Sequence, residues 1–183
     1  MADHPDRKIL ELFRQNGQKE AAFNLLAESY SERLYWHIRR IVIDHEDADD
    51  VLQNTLLKVW INLENFRAES GLYTWLFRIA TNESLSLIKD RKKHLHNTED
   101  QGFENSLAET LVTDPWFDGD EVQLKLQQAI LSLPEKQRLV FNLKYFEEMK
   151  YEDMSETLQT SVGALKASYH HAVKKIEKHL TGE

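Results

Sequence analysis

The chain has no cysteine, only three prolines and six glycines, and no long apolar segment. The absence of cysteine excludes a disulfide scaffold and any zinc site with cysteine ligands, and it is compatible with a reducing compartment. So little proline and glycine favours long helices over β architectures with many turns. No segment approaches the roughly 18 apolar residues that a membrane span needs, and the N-terminus lacks the apolar core of a signal peptide. We therefore expect a cytoplasmic protein without direct membrane insertion.

Charge is unevenly distributed along the 183 residues, which carry a formal net charge of -8. This balance argues against a general nucleic-acid binder. Residues 97–124, however, contain eight acids and no Lys or Arg. Segments 66–93 and 162–180 are locally basic, with six basic groups against three acids and four lysines against one glutamate. Any contact with nucleic acid is therefore expected to be local.

Apolar residues recur at three- and four-residue steps along nearly the whole chain, which predicts an all-α fold. The clearest stripe runs from Ala48 to Leu63. A second face lies beside it on the same predicted helix, formed by Asp50, Gln53, Asn54, Leu57 and Ile61. Such a face is either a partner-binding surface or an extension of the core, and periodicity alone leaves both interpretations open.

An acidic cluster, residues 44–50, stands at the start of that helix, where the helix dipole favours carboxylates. As an EF-hand it would place Asp49 at the glycine position and Thr55 at the bidentate-glutamate position, which argues against calcium. A metal-dependent helical enzyme that uses this cluster is one alternative. No nucleophile–base pair or metal constellation stands out, so we expect no catalytic residues, no cofactor and no small-molecule substrate.

Residues 97–121 are predicted to be an acidic linker with weak intrinsic structure, because glycines at 102 and 119 and Pro115 interrupt them. After the linker, Ser132 and Glu135 have the S-x-x-E spacing of a capping box. This spacing predicts a helix that runs to about Phe146.

Residues 151–180 predict two helices separated by a three-residue turn, with Ser161 as N-cap of the second helix. The outward face of that helix carries Lys166, Ala167, His170, His171 and Lys174. This layout fits a helix that reads DNA, and it equally fits an ordinary amphipathic helix with a solvated basic face. In segment 66–93, aromatic residues alternate with basic ones, which suits single-stranded nucleic acid. There the loop residues 66–73 are better candidates for base contact than the helical aromatics, which fit a core.

Two separated segments resemble the bacterial extracytoplasmic-function (ECF) sigma factors. Residues 47–94 resemble region two, with a D-x-x-Q helix, an F-R loop and a T-W-L-x-R-I-A-x-N helix. Residues 133–180 resemble region four, with an L-P-x-x-x-R-x-V-F opening and an S-x-G-x-x-K recognition helix. Together they cover about half of the chain, in the family's order.

The resemblance implies a sigma factor without enzymatic activity that binds core RNA polymerase and promoter DNA, with an anti-sigma factor as a further partner. It divides the chain into a region-two domain (1–96), the acidic linker (97–121) and a region-four domain (122–183). It assigns core-polymerase binding to Asp50, Gln53, Asn54 and Leu57. It assigns −10 element binding to Phe66, Arg67, Ser70, Tyr73 and Asn82, and −35 element binding to Lys166, Ala167, His170, His171 and Lys174.

The chain departs from the family pattern at Ser168 and His171, where arginine is common, and at Gln159, where glycine is common. These departures concern the −35 sequence and the strength of its contacts. A stand-alone helix-turn-helix regulator is the alternative function, and it would bind duplex DNA without polymerase.

Overall fold

The computed structural model describes residues 5–15, 17–66, 70–94, 100–114 and 121–182. Within these ranges the chain forms nine α-helices, one short 3₁₀ helix (Leu63–Asn65) and no strand, which confirms the predicted all-α class. The helices are α1 (Pro5–Arg14), α2 (Lys19–Val42), α3 (His45–Asn62), α4 (Leu72–His94), α5 (Asp100–Val112), α6 (Glu121–Leu131), α7 (Glu135–Tyr145), α8 (Tyr151–Leu158) and α9 (Val162–Thr181). Among the helices so described, none combines the length and apolar character needed to cross a bilayer.

The N-terminal bundle consists of α1 to α4. Helices α2, α3 and α4 pack against one another, and α1 lies against α2. The predicted stripe of α3 faces inward, since Val51 and Val59 are buried in the same core as Phe77 of α4. The burial follows from the spacing, because residues three and four apart share one side of a helix.

The acidic cluster before α3 has a structural role in this bundle. The Asp44 carboxylate is the N-cap of α3 and accepts a hydrogen bond from the backbone N–H of Asp47 at 3.0 Å. Asp47 is itself buried and accepts a hydrogen bond from Arg91 of α4. Burial raises the pKa of Asp47, and the charge of Arg91 opposes that rise. Across the described part of the chain, no group of three or more His, Asp or Glu side chains is arranged to hold a metal ion.

The C-terminal bundle consists of α6 to α9, with α9 packed against the other three helices. Residues Gln159 to Ser161 form the three-residue turn between α8 and α9. The Ser161 hydroxyl oxygen caps α9 by accepting a hydrogen bond from the Ala164 N–H at 3.4 Å. Both helices, the turn length and the N-cap predicted from the sequence are thus confirmed. The bundle core is formed by Ala129, Ile130, Leu133, Phe141, Ala172 and Ile176.

Gln159 ends α8 in the left-handed region, at φ 51° and ψ 43°. A side chain there costs roughly 1 kcal/mol relative to glycine, because the Cβ atom crowds the following carbonyl. Gln159→Gly is therefore expected to raise the free energy of unfolding by about 0.5–1 kcal/mol, as measured by urea denaturation. Thr160→Gly is the control, because Thr160 has no positive φ. An equal gain from both substitutions would contradict this account.

The predicted capping box at Ser132 and Glu135 is wrong. Helix α7 begins at Glu135 with Pro134 at its N-cap, and no side chain caps it. The connection from α6 is so short that Ser132 still belongs to the end of α6, where its hydroxyl donates to the Ala129 carbonyl at 2.7 Å. Arg138, buried in α7, donates to the Leu131 carbonyl at 3.0 Å. This hydrogen bond satisfies a carbonyl at the C-terminal end of α6.

The expectation of weak structure throughout residues 97–121 is also wrong, because α5 lies within that segment. Leu107 and Leu111, one turn apart, are buried with Ile88 of the N-terminal bundle and Leu139 of the C-terminal bundle. The segment was predicted to be a linker from its acidic composition, so this apolar pair was not recognised as part of a helix. The helix is held by burial between the two bundles, which a local pattern does not reveal.

The two bundles pack directly on each other along α4 and α8, and along α2 and α7. Met149 and Met154 of the C-terminal bundle are buried in the same apolar cluster as Tyr30 and Phe77 of the N-terminal bundle. Asp114, just after α5, forms an ion pair with Arg39 of α2, and both side chains are largely buried. The described chain is therefore closed, with the helix-turn-helix bundle against the N-terminal bundle.

Candidate functional site

The second face of α3 is exposed, as one of its two interpretations requires. Asp50, Gln53 and Asn54 are exposed beside the buried stripe. Leu57 is 57% exposed and Ile61 is 59% exposed, so two large apolar side chains one helical turn apart face solvent. The face therefore joins an apolar pair to a polar row on a rigid helix, a combination typical of partner-binding surfaces.

The outward face of α9 is also exposed. Leu165, Ala172 and Ile176 hold the helix to its bundle from the opposite side. The Lys166 ammonium nitrogen lies 5.6 Å from the centroid of the Tyr151 ring, which keeps this cation near the start of the helix. A helix anchored on one side and exposed on the other can enter a major groove. The exposed residues of this face are Lys166, Ala167, His170, His171 and Lys174.

The residues predicted to bind the −10 element lie before α4 and within it. Phe66 is half-buried, with its ring centroid 5.0 Å from that of Trp75. Ser70 is half-buried just before the helix. Arg67 lies outside the described residues. Phe66 is thus held by Trp75, one of the helical aromatics predicted to fit a core, and Trp75 does pack against the core.

Tyr73 faces the C-terminal bundle. Its hydroxyl donates to the backbone carbonyl of Glu147 at 3.2 Å, and its ring packs on Phe77 with centroids 4.3 Å apart. The Arg33 guanidinium lies over the same ring at 4.9 Å. Burial raises the pKa of the Tyr73 hydroxyl above its ordinary value, and the Glu147 carboxylate adds to this effect. The resemblance assigns Tyr73 to contact with the −10 element, but in the closed chain Tyr73 contacts the C-terminal bundle instead.

Asn82 is exposed but borders a crevice between the two bundles. The crevice has a volume of about 440 Å³ and lies between α4 and the helices α7 to α9. Ser168 of the recognition helix and Gln159 of the turn line its opposite wall. Tyr73 and Asn82 thus both lie near the C-terminal bundle, but Tyr73 contacts it directly whereas Asn82 stays exposed at the crevice.

Sequence reasoning did not single out the charged cluster at the bundle contact. The Glu147 carboxylate accepts hydrogen bonds from Arg33 and Arg40 of α2, each at 3.2 Å. Burial raises the pKa of Glu147, and the two guanidinium groups oppose that rise. The sequence contains only a weak indication of this cluster, because Arg33 and Arg40 are seven residues apart and so share a face of α2. No local pattern identifies Glu147 as their partner.

Comparisons with known proteins give matches along most of the chain. The sigma-70 region 2 model matches residues 26–94, and the sigma-70 region 4 model matches residues 123–176. The RNA polymerase sigma-H factor of Pseudomonas aeruginosa is 31% identical, covering 98% of this chain and 96% of that protein. The ECF RNA polymerase sigma factor SigW of Bacillus subtilis is 29% identical, covering 87% and 89%.

A solved structure has a similar fold. It is the sigma factor RpoE of Bartonella quintana, crystallised with the anti-sigma factor NepR. The match has a TM-score of 0.72 and 22% identity, and it covers 87% of this chain and 96% of that one. At this identity the likeness concerns the fold.

Proposed function

The chain belongs to the ECF RNA polymerase sigma factors, and we propose that it divides polymerase binding and promoter recognition among three surfaces. As a sigma factor it binds core RNA polymerase and directs promoter recognition and transcription initiation. This function is favoured over that of a stand-alone helix-turn-helix regulator. The observation that supports the division is that exposed faces of different chemistry lie on different helices, α3 and α9.

The α3 face binds core polymerase in this proposal. Leu57 and Ile61 supply exposed apolar surface, and Asp50, Gln53 and Asn54 supply hydrogen-bonding groups next to it on the same helix. Protein interfaces commonly combine an apolar centre with a polar rim. The face lies apart from the bundle contact and so is accessible in the closed chain.

Promoter DNA is bound at the other two surfaces. The segment before α4 and the helix itself capture the −10 element through Phe66, Ser70, Tyr73 and Asn82, together with Arg67 by the resemblance. The outward face of α9 reads the −35 element as duplex through Lys166, Ala167, His170, His171 and Lys174. In this scheme the N-terminal domain spans 1–96, the linker 97–121 and the C-terminal domain 122–183.

The chain acts in the cytoplasm, where core polymerase is found, and it has no catalytic activity of its own. An anti-sigma factor is proposed as a regulatory partner, because the similar structure from Bartonella quintana holds one.

Lys166→Ala tests the α9 surface. Run-off transcription with purified core polymerase first identifies promoters that the protein uses. Removing one phosphate contact is then expected to weaken holoenzyme binding to these promoters severalfold, and to reduce the slope of log affinity against log salt by about 0.9. Lys125→Ala is the matched control, because Lys125 is exposed on α6 and does not belong to the proposed face of α9. An unchanged salt slope for Lys166→Ala would argue against this face.

A further inference from the structure

Two arginines on one face of α2 converge on a single buried carboxylate. Arg33 and Arg40 are about two helical turns apart and point to the same side. Nη2 of Arg33 and Nη1 of Arg40 each lie 3.2 Å from a different oxygen of Glu147. The Glu147 side chain is only 4% exposed. The cations belong to the N-terminal bundle, whereas the carboxylate comes from the connection between α7 and α8 of the C-terminal bundle.

These contacts depend on the closed arrangement of the bundles. The Arg40 guanidinium also lies 4.1 Å from the Phe146 ring centroid, and the Asn142 amide donates to the Arg40 carbonyl at 3.4 Å. Phe146 and Asn142 both belong to the C-terminal bundle. Separating the bundles would therefore remove the carboxylate, the ring and the amide together. A pair of guanidinium groups that loses its carboxylate is left ready for another anion.

The same separation would uncover an aromatic ring. Tyr73 lies under the Arg33 guanidinium, and its hydroxyl donates to the Glu147 carbonyl. Without the C-terminal bundle, the Tyr73 ring and hydroxyl would become accessible beside the two arginines. The uncovered surface would thus combine two fixed positive charges with one stacking platform.

We propose that Arg33 and Arg40 form a binding site for a phosphodiester of single-stranded promoter DNA, which Glu147 fills in the closed chain. Guanidinium groups bind phosphate oxygens through charge-assisted hydrogen bonds, and a carboxylate presents two oxygens in a comparable way. Tyr73 supplies stacking for the adjoining base. The inference rests on the proposed binding of promoter DNA by this chain, and it assigns a site on α2, outside the −10 set.

Glu147 and DNA would then exclude each other. Because Glu147 is tethered in the same chain, its effective concentration at the site is high. The closed chain should therefore bind single strands weakly, and opening should be coupled to DNA capture. Such competition gives a reason for a buried acid between two arginines in a DNA-binding protein.

Glu147→Gln in the full-length chain tests the competition. The neutral amide weakens the contact with both arginines, so binding to fluorescent oligothymidylate, followed by anisotropy at low salt, is expected to tighten about fivefold to tenfold. Glu148→Gln is the matched control, because it removes the same charge from the exposed neighbouring residue. Its affinity is expected to stay near that of the wild type.

Arg40→Gln in the Glu147→Gln background tests the site itself. This background avoids leaving a buried carboxylate without its partner, which would destabilise the fold. The double variant is expected to lose the gained affinity, and its salt slope should fall by about 0.7 for one lost phosphate contact. Arg7→Gln in the same background is the control, since Arg7 is exposed on α1. That variant should keep the tighter binding.

The outcomes separate this inference from the −10 assignment. No gain from Glu147→Gln, or a gain that survives Arg40→Gln, overturns the phosphate site. Tyr73→Ala is added to the same background, and thermal unfolding verifies that each variant is folded. If the arginine matters and Tyr73 does not, the phosphate site stands and the −10 role of Tyr73 fails. If Tyr73 matters and the arginine does not, the phosphate site fails alone.

Discussion

Leu57→Asp is expected to weaken binding to core RNA polymerase by about 100-fold. The Leu57 side chain is 57% exposed on α3, so burying it against a partner would contribute binding free energy of about 1.5–3 kcal/mol. An aspartate at the same place loses that contribution and adds the cost of desolvating a carboxylate. The fold should be retained, because Leu57 lies outside the core. Titration of a labelled variant with purified core polymerase measures the effect.

Val122→Asp is the matched control for this substitution. Val122 is 79% exposed on α6, so the same chemical change is made on an apolar side chain outside the proposed interface. Its affinity for core polymerase is expected to equal that of the wild type. Unchanged binding by Leu57→Asp would refute the assignment of this face to polymerase, and equal losses in both variants would indicate a non-specific effect of added charge.

The features predicted correctly from the sequence are those that depend on neighbours along one helix. The buried stripe with Val51 and Val59 follows from helical spacing, and so does the inward packing of Leu165 and Ile176 in α9. The same spacing placed Lys166 on an exposed face, whereas it left open whether Leu57 is buried or exposed. In each case residues three and four apart share a side, so local sequence suffices.

The features that were missed depend on contacts between distant parts of the chain. Tyr73 meets Glu147 across 74 positions, and Arg33 meets the same residue across 114. Helix α5 is stabilised by partners from both bundles, although its composition is that of a linker. The pairing of charges and the closure of the bundles are properties of tertiary packing, to which a periodicity argument has no access.

His37 is a buried titratable group that joins α2 to α4. It is 1% exposed, and its ring centroid lies 4.9 Å from that of Phe77. The Thr81 hydroxyl donates to the Phe77 carbonyl at 2.7 Å, so its oxygen accepts from His37 Nε2–H at 2.8 Å. Nδ1 then carries the lone pair, and no described group hydrogen-bonds to it. A proton there would be a buried charge without an acceptor, next to the positive charge of Arg40.

Acidification is expected to remove about 2–3 kcal/mol of stability through His37 between about pH 7 and about pH 4.5. Burial, with the Arg40 charge as a smaller cause, lowers the pKa of His37 from 6.5 to about 3. Between these two values the unfolded chain binds a proton that the folded chain does not. The free energy of unfolding therefore falls by about 1.4 kcal/mol for each unit of decreasing pH. Urea denaturation across this pH range measures the slope.

His37→Gln isolates this contribution from that of the carboxylates, which also titrate in acid. The glutamine amide can replace the Nε2–H donor to Thr81 but has no charge to gain, so the variant should lose less stability on acidification than the wild type. At neutral pH it should be less stable by about 1 kcal/mol, because the ring no longer fills its site. The two stability curves should therefore converge as the pH falls. His171→Gln, which removes an exposed imidazole, should run parallel to the wild type. If the stability curve of His37→Gln also runs parallel to that of the wild type, protonation of His37 is not the cause of the acid-induced loss of stability.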